Sequence, residues 1–184
     1  MPTIYNWLII IFWIVWALVW AILARVSKKV ISRPDEGVQY FGAILFLLLF
    51  RLIPRRYNHP SFIPHTPEIQ AVGTVLCAVG IAFAIWARIH IGKNWSSGPS
   101  VQEDHQLVTS GPYRLVRHPI YTGMLLALFG SAFISGSIGI CIFIFVGLRF
   151  VWRVNTEEKI MIELFPQQYP EYKKRTKALI PFIW

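Results

Sequence analysis

Residues 120–152 read IYTGMLLALFGSAFISGSIGICIFIFVGLRFVW. The stretch is strongly apolar and is interrupted at its centre by Ser135-Gly136-Ser137. Each half holds 15 residues, which is roughly 22 Å of α-helix. A hydrocarbon core is about 30 Å thick, so neither half spans it comfortably. The pattern therefore predicts a helical hairpin that is embedded in the membrane, with both of its ends on one side.

Three further apolar runs precede this hairpin. Residues 4–24 carry no charge and are long enough to cross a bilayer. Basic residues follow this run, whereas they precede the apolar core of a signal peptide, so we expect a retained span. The other two runs are residues 38–53 and 69–87, and the latter carries Gly73 and Gly80 on one helix face for close approach of a neighbour. We predict an all-α integral membrane fold of five helices, three spans plus a C-terminal hairpin.

The composition agrees with a membrane protein. Apolar residues make up 55% of the 184 residues and charged residues 15%, against roughly 25% charged in soluble proteins. The formal net charge is nevertheless +9. An apolar chain with surplus cations argues against a freely soluble enzyme, and it disfavours a nucleic-acid partner because the cations fit lipid headgroups better than a soluble basic face.

The basic residues also predict an orientation. With the N-terminus outside, fifteen of the eighteen Lys and Arg residues lie on the inner side, against Arg51, Arg55 and Arg56 outside. Such a bias is typical of cytosolic loops. We therefore expect the polar segment 88–118 and the C-terminus to face the cytosol. The membrane would be the plasma membrane in a prokaryote and the endoplasmic reticulum in a eukaryote.

The chain is predicted to form a single membrane domain over residues 1–184, with N-terminal spans in 1–87 and a catalytic region in 88–182. No dinucleotide-binding, phosphate-loop or zinc-protease motif is present, and the five His lack metal-ligand spacing, so no metal site is expected. Cys77 and Cys141 are expected to be small buried residues. The four Trp of the first span are expected to contact lipid and interface.

Two polar segments flank the hairpin. Residues 105–123 read HQLVTSGPYRLVRHPIYTG and lead directly into its first half. Pro119 suits the first turn of a helix, where free N–H groups attract anions. From the residues alone, a basic interfacial loop anchored by Tyr113 and Tyr121 explains this segment equally well.

The second polar segment lies where the hairpin ends. Arg149, Arg153 and Glu157 are spaced by four residues and therefore share one helix face. They form either a solvated ion pair or a cationic and an anionic group that bind a ligand together. Because the hairpin returns this segment to the level of residues 105–123, we expect both segments to form one pocket.

These segments resemble the isoprenylcysteine carboxyl methyltransferase family of integral-membrane, S-adenosylmethionine-dependent enzymes. The similar stretches are Asn94-Trp95-Ser96, the segment 105–123, RVNTEEKIMIELFPQQYPEYKKR over 153–175 and LIPF over 179–182. The resemblance covers residues 94–182. The compact chain is most similar to prokaryotic members.

The resemblance implies roles for individual residues. Arg153 would bind the substrate carboxylate. The residues that would contact S-adenosylmethionine are Gln102, His105, Gln106, Leu107, Val108, Tyr113, His118, Pro119, Ile120, Tyr121 and Glu157.

The implied activity is methyl transfer from S-adenosylmethionine to the carboxylate of a lipid-like substrate, such as a C-terminal S-isoprenylcysteine, giving a methyl ester. Methylation of a phospholipid amine is the alternative, although an Arg is poorly suited to bind an amine. A membrane reductase that uses a nicotinamide cofactor, and a protein without enzymatic activity, are the remaining classes.

Overall fold

The computed structural model describes residues 3–25, 30–32, 63–95, 101–102, 106–181 and 183. Its helices are α1 (Ile4–Ala24), α2 (Pro67–Ile91), α3 (Pro119–Ser135), α4 (Ser137–Leu164) and α5 (Gln168–Arg175). Two short strands, β1 (Val30–Ser32) and β2 (Val101–Gln102), pair antiparallel. Single 3-10 turns cover Gly92–Asn94 and Gly111–Arg114. The predicted span over residues 38–53 lies outside the described residues.

Three of these helices are long and apolar enough to cross a membrane. They cover Ile4–Leu23, Pro67–Asn94 and Ser137–Leu164. Helix α3 is apolar but shorter, at 17 residues. The chain is therefore an integral membrane protein of the predicted all-α class.

The C-terminal hairpin is confirmed, but its two arms are unequal. Gly136 separates α3 from α4 and has a φ of +65°, which a residue with a Cβ adopts only with strain. Helix α4 has 28 residues, roughly 42 Å, and so is longer than the predicted half. It continues through the polar residues after Trp152 because no helix breaker occurs before Pro166.

Helices α2 and α3 pack with their backbones in contact. A Cβ on Gly80 would lie 2.4 Å from the amide nitrogen of Ala127, and a Cβ on Gly130 would lie 2.5 Å from that of Cys77. Gly73 meets Gly130 in the same way. The close approach predicted from the glycine spacing of the third apolar run is therefore confirmed, and it draws α2 against the first arm of the hairpin.

A buried arginine joins the ends of α1 and α2. Arg88 is 1% exposed and donates from Nη1 to the carbonyl of Gly92 at 3.0 Å and from Nη2 to the carbonyl of Leu23 at 2.6 Å. A cation at the last carbonyls of a helix is favourable because those groups lack intrahelical donors. The same guanidinium lies 4.2 Å above the ring of Trp95.

The tryptophans of α1 have two different surroundings. Trp7 is 55% exposed, as expected for a lipid contact. Trp13 and Trp16 pack against the core instead, and Trp13 donates to the hydroxyl of Ser131. Trp20 packs beside the cleft described below. The prediction that both cysteines are buried is confirmed for Cys77 but wrong for Cys141, which is exposed.

The chain after α5 returns to the start of α3. The backbone N–H groups of Arg117 and His118 donate to the carbonyls of Lys177 and Ala178 at 2.8 and 3.0 Å. The hydroxyl of Thr122 donates to the next carbonyl along, at 2.7 Å. These bonds fix the direction in which the side chains of Arg117 and His118 leave the backbone.

The backbone contact between α2 and α3 is testable with a single methyl group. We expect Gly80→Ala to lower the free energy of unfolding by about 1–3 kcal/mol, because the added Cβ overlaps the α3 backbone. The measurement is thermal unfolding in detergent. Gly147→Ala is the matched control, because a Cβ there lies 3.7 Å from the nearest atom, in Leu125. Equal melting temperatures for the two variants would contradict the packing.

Candidate active site at the start of the hairpin

A cleft opens where α2, α4 and α5 meet the segment that leads into α3. Its volume is about 860 Å³, counting the part open to solvent. The lining residues are Ile91, Asn94, Trp95, Gln106, Leu107, Val108, Tyr113, Arg117, His118, Ile120, Tyr121, Glu157, Ile160, Met161, Tyr169 and Tyr172.

The carboxylate of Glu157 is surrounded by three side chains. Its Oε1 accepts a hydrogen bond from the hydroxyl of Tyr121 at 2.5 Å and one from Nε of Arg153 at 3.0 Å. Its Oε2 lies 3.4 Å from Nδ1 of His118. The Tyr121 ring stacks between those of His118 and Phe150, with centroids 5.7 and 4.6 Å away. The carboxylate is therefore held in a fixed orientation in the cleft.

The neighbouring Glu158 is more deeply buried and has a different set of partners. Arg117 donates to its Oε1 from Nε at 2.8 Å and from Nη2 at 2.5 Å. Nζ of Lys173 lies 2.6 Å from Oε2. Arg117 also donates to the backbone carbonyl of Thr176. Glu158 thus joins α4 to the segment before α3 and to the C-terminal chain.

His118 lies between the two carboxylates. Its Nε2 is 3.6 Å from Oε1 of Glu158, an attraction between charges rather than a hydrogen bond. Burial alone would lower the pKa of the imidazole, but the nearby negative charges of Glu157 and Glu158 outweigh it and raise that pKa. The protonated form is therefore favoured, and its charge offsets part of the negative charge of the pair.

The tyrosines of the cleft remain neutral phenols. Burial raises the pKa of Tyr113, Tyr169 and Tyr172 above the ordinary value. The hydroxyl of Tyr172 donates to the backbone carbonyl of Tyr113 at 2.5 Å. They serve as walls and hydrogen-bond donors, because a phenol that resists ionisation is a poor general base.

The end of α2 forms a separate wall of the cleft, away from these charges. Asn94 closes the 3-10 turn after α2, and Trp95 follows it. The side-chain oxygen of Asn94 is buried, and no donor reaches it from the part of the chain that the structure describes. Trp95 packs in one cluster with Trp20, Ile91 and Val108.

Most of the residues implied by the resemblance are brought together here. Pro119 is buried in the first turn of α3 and Arg153 contacts Glu157, although neither lines the cleft itself. The backbone of Gln102 belongs to β2, but its side chain lies outside the described part, as does all of His105. The predicted residues that line the cleft are Gln106, Leu107, Val108, Tyr113, His118, Ile120, Tyr121 and Glu157.

Several residues of the site carried no predicted role. Arg117 is adjacent to His118 in the sequence, and Glu158 is adjacent to Glu157. This adjacency to predicted site residues was the only sequence feature that pointed to them. Tyr169 and Tyr172 lie three apart on α5 and so point to one side. Asn94 belongs to the Asn94-Trp95-Ser96 stretch that resembles the family, but only the structure shows that its side-chain oxygen is buried.

The position of His118 predicts how stability depends on pH. Because its pKa is raised on folding, the stabilisation from its pairing is present in full below about pH 6.5 and is lost as pH rises through the higher folded pKa. We expect the melting temperature of the ligand-free protein to fall from about pH 6.5 to pH 9. His118→Gln should flatten this fall, whereas the exposed control His65→Gln should leave it unchanged. An unaltered fall in His118→Gln would contradict the charged pairing.

Comparison with known sequences identifies relatives. A family model described as "Phospholipid methyltransferase" matches residues 69–168. The cobalt-zinc-cadmium resistance protein CzcN of Cupriavidus metallidurans is 30% identical over 162 residues, which cover 86% of this chain and 69% of that protein. The protein-S-isoprenylcysteine O-methyltransferase of Saccharomyces cerevisiae is 39% identical over 84 residues, which cover 45% of this chain and 35% of the yeast protein.

The fold also has a solved counterpart. The eukaryotic intramembrane Ras methyltransferase, isoprenylcysteine carboxyl methyltransferase, superimposes with a TM-score of 0.62 at 23% identity, over 97% of this chain and 65% of that one. This chain is therefore shorter than the relatives that it matches. Because the family model covers more than half of the chain and the metal-resistance relative most of it, the chain belongs to the phospholipid methyltransferase family, and the resemblance to its isoprenylcysteine carboxyl methyltransferase relatives is confirmed.

Proposed function

We propose that this protein transfers a methyl group from S-adenosylmethionine to the carboxylate of a lipid-like substrate, such as a C-terminal S-isoprenylcysteine, and forms a methyl ester. One observation carries the proposal. The two polar segments that flank the hairpin meet in one cleft, and Glu157, which lines that cleft, is in direct contact with Arg153. Relatives named protein-S-isoprenylcysteine O-methyltransferases support this choice of acceptor.

The described residues fit such a methyl donor. The ligand carries a sulfonium, an ammonium and ribose hydroxyls, and Glu157 offers a carboxylate that accepts hydrogen bonds from cations and hydroxyls alike. Leu107, Val108 and Ile120 supply apolar contact next to it. When bound, S-adenosylmethionine supplies an electrophilic methyl group. Gln102 and His105 belong to the proposed contacts as well.

Arg153 would bind the substrate carboxylate. A guanidinium matches a carboxylate with two parallel hydrogen bonds and so fixes the direction of the attacking oxygen. A carboxylic acid with a pKa near 4 is ionised at neutral pH, so the reaction needs no general base. The neutral tyrosines of the cleft agree with this requirement.

The ion pair between Arg153 and Glu157 competes with both proposed ligands, because each ligand would bind one of these two side chains. Oε1 of Glu157 already accepts from Arg153 and from Tyr121. A cationic ligand on Glu157 would draw the carboxylate away from the guanidinium, which then turns to an anionic substrate. Each ligand would therefore favour the binding of the other, because both replace the same contact.

The surroundings favour a reaction in which charges disappear. Arg153 and Glu157 lie on a helix that is long enough to span a membrane, and their side chains are only 20% and 21% exposed. Attack of a carboxylate on a sulfonium methyl group neutralises both charges, and exclusion of water favours that step over the ionic reactants. A lipid tail would enter between the helices. The site would face the cytosol, as the distribution of Lys and Arg indicates.

The proposed roles predict separable defects. Glu157→Ala should weaken the binding of S-adenosylmethionine about 10-fold to 100-fold, because a hydrogen bond to a charged group contributes about 1.5–3 kcal/mol. Arg153→Ala should lower kcat/KM for a prenylcysteine substrate by a similar factor and change cofactor affinity much less. Calorimetric titration of the cofactor and initial rates of methylation measure the two effects.

A matched control lies on the same helix. Glu163 is exposed on α4, so Glu163→Gln removes a charge while leaving the cleft intact and should alter neither quantity. Equal loss of cofactor affinity in the Arg153 and Glu157 variants would contradict the division of roles. Absence of any affinity of the unaltered protein for S-adenosylmethionine would contradict the proposed function itself.

Methylation of a phospholipid amine is the second candidate, which the description of the family model favours. The chemical stability of the product separates the two. We expect the labelled methyl group to enter a prenylcysteine analogue as a base-labile ester. Base-stable label in phosphatidylethanolamine, without label in the prenylcysteine analogue, would favour the amine reaction instead.

A further inference from the structure

The wall of the cleft at the end of α2 carries a polar atom with no role in the chemistry proposed above. The side-chain oxygen of Asn94 is buried and finds no donor within the described residues. Asn94 lines the cleft. A buried acceptor left without a donor costs about 1–3 kcal/mol, so a ligand that brought a donor to this oxygen would recover that cost.

The side chain next to it is a firmly held aromatic ring. Trp95 lines the cleft and has the guanidinium of Arg88 at 4.2 Å from its ring centroid. The edge of Trp20 packs against it, with centroids 6.3 Å apart. Arg88 is itself fixed by two backbone carbonyls. The ring is therefore a firmly held aromatic part of the cleft lining.

The cleft is thus divided into two chemically different parts. Glu157 and His118 supply the charges, and they come from α4 and from the start of α3. The part beside α2 contains the aromatic ring of Trp95, the apolar side chains of Ile91 and Val108, and the neutral oxygen of Asn94. A ligand that fits both parts has a charged end and, at the other end, a flat ring that carries an N–H donor.

We propose that the side-chain oxygen of Asn94 accepts a hydrogen bond from the exocyclic amino group of the adenine base of the methyl donor, and that it makes the site selective for an amino-substituted base. This proposal rests on the proposed use of S-adenosylmethionine. Asn94 would be a specificity residue, since it would contact the base and not the reacting atoms.

The test measures binding of two ligands without turnover. One is S-adenosylhomocysteine, and the other is its 6-deamino analogue, in which hydrogen replaces the exocyclic amino group. Calorimetric titration in detergent gives the two dissociation constants for each variant. We expect the unaltered protein to bind the deamino analogue about 10-fold more weakly, because the buried oxygen of Asn94 then stays unpaired.

Two substitutions of Asn94 distinguish the loss of this hydrogen bond from a general loss of folded structure. Asn94→Ala removes the acceptor, so both ligands should bind with dissociation constants that agree within about twofold. Asn94→Asp keeps an acceptor oxygen and should keep the preference for the amino ligand. The exposed neighbour Lys93 supplies a control in Lys93→Ala, which should leave the preference unchanged. Thermal unfolding without ligand confirms that each variant is folded.

The ratio of the two dissociation constants decides the outcome. A ratio near one in the unaltered protein, or an unchanged ratio in Asn94→Ala, would overturn the role of Asn94 while S-adenosylhomocysteine still binds. Failure of the unaltered protein to bind S-adenosylhomocysteine at all would overturn both this proposal and the proposed function.

Discussion

Two adjacent carboxylates, the buried Glu158 and the half-buried Glu157, are the constraint on which the rest of the site depends. Isolated charges are costly to bury, and they persist when cations and hydrogen bonds surround them. Glu158 meets this requirement with Arg117 and Lys173, and Glu157 with Arg153 and Tyr121. His118 lies between the two. The partners come from α3, α4, α5 and the chain before α3, so charge balance itself holds these elements together.

The two carboxylates have different roles, since Glu158 holds structural elements together and Glu157 is available to ligands in the cleft. Glu158 is the more enclosed, and its partners tie the C-terminal chain to the start of the hairpin. Glu157 faces the cleft, and its partners are the residues proposed to meet ligands. Helix packing supports the same arrangement from the other side, because the glycine contacts of α2 and α3 place Asn94 and Trp95 on a wall of the cleft.

Much of this architecture is readable from the sequence, and the limits have physical causes. A long apolar run predicts a helix, and Ser135-Gly136-Ser137 predicts the break in the hairpin. The sequence pattern did not predict the full length of α4, because the apolar run ends at Trp152 whereas the helix continues through polar residues to Leu164. The inward packing of Trp13 and Trp16 depends on helix rotation, which an all-apolar segment such as α1 does not encode by periodicity. The two motifs predicted one pocket, but the buried oxygen of Asn94 depends on tertiary contacts.

We propose that one cleft at the start of the hairpin holds the methyl donor between the charged cluster of Glu157 and the wall formed by Asn94 and Trp95. Structure determination of the protein saturated with S-adenosylhomocysteine tests it most directly. We expect density for the amino-acid and ribose portion next to Glu157 and for the base next to Asn94. Density at another place on the protein, with this cleft empty and the pair of Arg153 and Glu157 intact, would contradict it.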